Sequence, residues 1–81
     1  MLLVYERTNL GNMILVATNK DRRYRELFEA VRKHKPVREV PYYELFRESP
    51  IGRKFICSGF GKSHEEAVNE LIDKFYERKG R

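Results

Sequence analysis

Cysteine is nearly missing from this chain, and tryptophan is missing altogether. Cys57 stands alone, so no disulfide can close within the sequence and no oxidising compartment is implied. A lone cysteine in a strand-like stretch is expected to be buried, and no local base is present to activate it as a nucleophile. Histidine is also scarce. His34 and His64 are the only two, and neither has metal-ligand spacing with Cys57, which removes a zinc site. With so few candidates, no Ser/His/Asp set or carboxylate pair can be assembled, and the chain is expected to bind rather than catalyse, without a cofactor. Long hydrophobic runs are lacking too. The longest, Met13-Ile14-Leu15-Val16-Ala17, is far short of the ~20 residues of a membrane span. The N-terminal Met1-Leu2-Leu3-Val4-Tyr5-Glu6-Arg7 has no basic leader and no cleavage site, so the expected compartment is the cytoplasm.

What is present suits one small folded domain. The chain has 81 residues, 41% hydrophobic, with five Tyr and five Phe. A domain of this size buries only about 60–65% of its unfolded surface, enough for one modest core and too little for a deep walled active site. The net charge is +5 and the pI about 9.6, which fits a polyanionic partner. The excess is uneven. Residues 1–40 hold nine Lys/Arg against five Asp/Glu, and residues 41–81 hold eight against seven.

The pattern reads as two hairpins, each followed by a helix. Residues 2–7 and 13–18 are strand-like, with hairpin chemistry in Thr8-Asn9-Leu10-Gly11-Asn12. Thr18 to Asp21 offers N-cap residues for a helix running to about Lys35, with Tyr24, Leu27, Phe28 and Val31 as its apolar stripe and Pro36 as its stop. Pro41–Glu48 and Arg53–Ser58 are strand-like around the turn Ser49-Pro50-Ile51-Gly52, with Phe55 and Cys57 expected on one face and Ile56 on the other. Adjacent Tyr42 and Tyr43 must point to opposite faces. Ser63 and Glu66 form a capping box that fixes the start of the last helix, whose apolar face runs from Ala67 to Tyr76. The predicted fold is α+β in the order ββαββα, a mainly antiparallel sheet with two helices packed on one face. The expected organisation is a single domain over 1–81, with a hairpin over 1–19 and a helix–hairpin–helix body over 20–79. Gly11–Lys35 and Gly52–Lys79 read as two copies of one ββα unit.

Two segments suggest anion binding. Ile56 to Ser63 ends in Gly-Lys-Ser between a strand and a helix, but Ile56 stands where a complete phosphate loop needs glycine. What survives is a helix start with Lys62 able to hold one backbone phosphate, opposed by Glu65 and Glu66. The other segment is the first helix, where Arg22, Arg25 and Arg32 lie off the apolar stripe. The tyrosines are expected mainly in packing roles, although aromatics on an exposed sheet face can stack on unpaired bases.

From about Arg25 to Lys79 the chain resembles a double-stranded-RNA-binding domain. Leu27-Phe28-Glu29 with Lys33-His34-Lys35 is similar to that family's first helix and its exit. Pro41-Tyr42-Tyr43-Glu44-Leu45 resembles its first strand, Glu48-Ser49-Pro50 with Lys54-Phe55 its turn and second strand, and Gly61-Lys62-Ser63 with Glu66-Ala67 the start of its last helix. The family has a third strand before that helix and this chain has no room for one, so the N-terminal hairpin is expected to fill its place. The family's lysines at the last helix are replaced here by His64, Glu65 and Val68, leaving Lys62. The resemblance implies a partner of structured or double-stranded RNA, bound by shape and phosphate contact. Arg22, Arg25, Glu29 and Arg32 would face one minor groove, Arg53 and Lys54 would sit at or beside the turn reaching a second, and Lys62 would touch the phosphates between, with His64 also among the nucleic-acid-binding residues. The alternative is a protein-interaction module, such as a small regulator or inhibitor encoded by a virus or mobile element. An exposed strand edge at 2–7 or 53–58 would serve that role by strand addition or homodimerisation.

Overall fold

The computed structural model describes residues 1–79. Six elements follow in the expected order: β1 (Leu2–Arg7), β2 (Met13–Asn19), α1 (Tyr24–Lys33), β3 (Tyr42–Ser49), β4 (Gly52–Phe60) and α2 (His64–Lys79). The strands form one antiparallel sheet in the order β2-β1-β3-β4. Alternation along β1 and β3 sends Leu2, Val4, Tyr43 and Leu45 to one side, where they meet Leu27, Phe28 and Val31 of α1 and Ala67, Val68, Leu71 and Phe75 of α2. Both helices therefore cover the same face. They run antiparallel: the start of α1 meets the end of α2 through Tyr24, Phe75 and Tyr76, and the end of α1 meets the start of α2 at His64.

Pairing departs from the sequence reading in two places. β1 is not an edge, because it pairs with β2 on one side and β3 on the other. The outer strands are β2 and β4. The N-terminal hairpin joins the sheet beside β3, so it does not occupy the position beyond β4 where a third strand following β4 would pair. Strand pairing is a long-range choice that local pattern does not encode.

Each outer strand carries a bulge. Ala17 and Leu15 are the partners of Val4 and Tyr5, leaving Val16 extra. Cys57 and Phe55 are the partners of Leu45 and Phe46, leaving Ile56 extra. The extra residue reverses the alternation. Cys57 is buried in the core, whereas Phe55 lies on the opposite face and is 47% exposed, contrary to the expectation that the two share a face.

These features define an approximate two-fold axis through the sheet between Val4 and Leu45. Its mates are Ala17 and Cys57, Val16 and Ile56, Leu15 and Phe55, and the helix starts Tyr24 and His64. Gly11 and Gly52 lie in the two hairpin turns, and both have positive φ (85° and 142°), which side chains other than glycine's seldom adopt. The ββα echo in the sequence is thus a symmetric arrangement of two units around one core.

The helix ends are set by specific contacts. None of Thr18 to Asp21 caps α1. β2 continues through Asn19, and a turn closed by the Arg23 N–H on the Lys20 carbonyl precedes the helix. α1 stops at Lys33, ahead of Pro36, because His34 is extended and reaches Glu6. At α2 the Ser63 cap forms, Ser63 Oγ accepting the Glu66 N–H (3.2 Å), while the Glu66 carboxylate reaches one residue past the cap and accepts the Lys62 N–H (3.1 Å).

Candidate nucleic-acid interface

Leu27 and Val31 bury one stripe of α1 against the sheet, and Tyr24 and Phe28 turn toward α2. At 100° per residue, Arg25, Glu29 and Arg32 fall on the remaining outer surface. All three are exposed, as is Arg22 in the turn before the helix. The arginines expected on this helix are therefore presented together along its length.

At the end of the molecule holding the β3–β4 turn, positive side chains gather from separate elements. Asp21 is the anion among Arg47, Arg78 and Lys79. Its carboxylate lies 2.6 Å from the N-terminal ammonium and 3.0 Å from Arg47 Nε, and these contacts, the ammonium first, hold its pKa below the usual carboxylate range. Arg47, Arg78 and Lys79 join Asp21 around a cleft of about 180 Å³ floored by Ile56 and Phe75. Arg78 also borders a larger groove of about 620 Å³ with Lys74, Glu77 and β4 residues Phe55, Cys57 and Ser58. Lys54 is the strand partner of Arg47, and Arg22 adjoins Asp21. The cations of the cleft itself are Arg47, Arg78 and Lys79; Arg22 and Lys54 stand next to it, and Lys74, along the groove, is bonded to Glu70 (3.2 Å). Arg47 was not anticipated, since nothing local marks a strand arginine that reaches a helix start. Arg78 and Lys79 were visible only as a basic helix end.

The remaining expected residues do not converge with this cluster. Arg53 neighbours Lys54 in sequence but lies on the sheet face away from the helices, bonded to Glu48 (3.3 Å) and placed over the Tyr5 ring (5.2 Å). Lys62 is at the opposite end of β4, roughly 25 Å along the strand at ~3.3 Å per residue. Its side chain is exposed, but its backbone N–H is taken by Glu66, so the helix start is filled by its own carboxylate. His64 is not a free ligand: one ring nitrogen lies 2.9 Å from the Tyr43 hydroxyl and the other 2.8 Å from the Arg32 carbonyl. It ties β3 to both helices, and with both nitrogens engaged it cannot also hold a phosphate.

Two buried groups are poor nucleophiles. Burial pushes the Cys57 thiol up to about 11, against weaker opposing pulls from Arg78 and Lys74. Burial, followed by the charge of Glu6, raises the Tyr43 phenol well above its ordinary value. Among the described residues, no group of three or more His, Cys, Asp or Glu side chains is placed to hold a metal, and no helix is long and apolar enough to cross a membrane. No family model, curated protein or solved structure matches this chain.

Proposed function

We propose that this chain is a small non-catalytic nucleic-acid-binding protein whose ligand is structured RNA, gripped through phosphates and helix shape. The observation that carries the reading is the gathering of Arg47, Arg78 and Lys79 around one cleft, with Lys54 paired to Arg47, Arg22 next to Asp21, and Arg25 and Arg32 exposed along α1. Cations fixed by different elements can follow a phosphate backbone without reading its bases. The resemblance of residues 25–79 to a double-stranded-RNA-binding domain supports RNA over DNA. Lys62 at the far end would meet a more distant phosphate, while His64 serves the fold.

The test is binding to a duplex RNA of about two helical turns, at low and moderate salt, with duplex DNA alongside. The expected result is RNA-preferring binding that weakens steeply with salt and is lost in Arg22→Glu/Arg25→Glu. No binding at low salt would remove the reading. The competing role, a protein-interaction module acting in the cytoplasm, draws support from the outer positions of β2 and β4, each with one side free for an added strand or a second copy.

A further inference from the structure

The sheet face away from the helices is aromatic. Tyr5, Tyr42, Phe46, Phe55 and Phe60 stand on it, drawn from three strands. Phe46 meets Tyr5 and Phe55 edge-on, with centroids 5.7 and 5.6 Å apart, and Phe60 stacks on Tyr42 at 10° between ring planes. Phe55 and Phe60 are 47% and 54% exposed. Exposed rings on an uncovered sheet are unusual enough to need a reason.

The internal symmetry distinguishes these two rings. The outward position of Phe55 is matched in the first half by Leu15, which is 51% exposed. Phe60 has no apolar counterpart, for Lys20 holds its place in the first half. The Ile56 bulge is what turns Phe55 outward. The face also presents cations. Arg7 bonds Glu44 at 2.8 Å, and the guanidinium is the outer partner, 39% exposed against 11% for the carboxylate. Arg53 lies over Tyr5, and Lys62 follows Phe60 by two residues.

We propose that this face binds unpaired bases of RNA, which stack on Phe60 and Phe55 while Arg7, Arg53 and Lys62 attend the phosphates. This rests on the RNA reading above and adds a second ligand class to it, single-stranded segments flanking a duplex. Rings offer a stacking surface to any base, and cations beside them suit the strand's charge. A second copy of the chain would set one net charge of +5 against another.

The experiment compares three RNAs against the full chain: a blunt duplex, the same duplex with an unpaired uridine tail, and the tail alone. The tail is expected to tighten binding by about tenfold for each base that stacks. Phe60→Ala and Phe60→Leu should both lose that gain and leave blunt-duplex affinity unchanged, since leucine keeps the apolar surface but not the ring. Arg22→Glu/Arg25→Glu should weaken the duplex and spare the tail alone. The proposal is overturned if the tail adds nothing, or if Phe60→Leu binds tailed RNA as the parent does. It is also overturned if the parent chain is a dimer that Phe60→Ala makes monomeric, because the face then belongs to a second copy. Duplex binding without a tail effect would leave the RNA reading standing, whereas a tail effect without duplex binding would leave only the stacking face.

Discussion

Glu6 has no solvent exposure, yet it is a carboxylate on the core side of β1. Its oxygens accept the backbone N–H groups of Val37 (2.9 Å) and Arg38 (3.2 Å), and His34 Nε2 lies 2.7 Å away. A buried acceptor surrounded by donors is stabilising only while it stays an acceptor. Glu6→Gln sets an amide NH₂ among those donors and should cost about 3 kcal/mol in denaturant unfolding. Beside it, the Arg32 carbonyl can only accept, so His64 Nε2 carries hydrogen, and in the neutral ring Nδ1 accepts from the Tyr43 hydroxyl. Tyr43→Phe should therefore cost about 1–2 kcal/mol. Cys57 makes a pH prediction. Its thiol ionises near 9.0 when unfolded and near 11 when folded, so the unfolded chain releases its proton first. The stability tied to Cys57 is complete below pH 9 and declines as pH rises toward 11, and denaturation across that window should lose this component in Cys57→Ala.

The elements depend on close approach as much as on pattern. At Gly59, an added Cβ would lie 2.4 Å from the Leu71 nitrogen and 2.5 Å from the Ala67 oxygen, both backbone atoms of α2. Gly59→Ala must push α2 off β4, and a loss of about 1–3 kcal/mol or more is expected in thermal unfolding. Ser63→Ala, which removes only the cap, should cost about 1 kcal/mol. The two cases also mark what local sequence reveals. Ser63 and Glu66 sit three residues apart and form the cap that spacing predicted. The order ββαββα and the opposed faces of Tyr42 and Tyr43 follow equally from short-range alternation. The bulge at Ile56 does not, because Phe55-Ile56-Cys57 alternates normally as text and breaks register only against β3. The basic cluster was half legible for the same reason. Arg22 is marked by its neighbours, whereas Arg47 matters only because β3 ends beside the turn that opens α1. His64 was expected among the nucleic-acid-binding residues, whereas its partners Tyr43 and Arg32, which set its role, lie 21 and 32 residues away.

For the whole molecule, charge distribution yields the clearest solution measurement. Each phosphate neutralised contributes about 0.9 to the slope of log affinity against log salt. Replacing both Arg22 and Arg25 with Ala should lower that slope by about 2 and affect all duplex sequences alike. The approximate axis between Val4 and Leu45 relates two units whose surfaces have diverged: Arg25 of α1 has Glu65 as its mate in α2, and Lys20 has Phe60. Two separate identical chains could not have parted in this way, for any change of residue would be made twice. Residues 34–41 act as a leash between the units. They keep the partner always at hand, so assembly needs no minimum concentration, and they let one unit specialise in charge while its sibling specialises in rings.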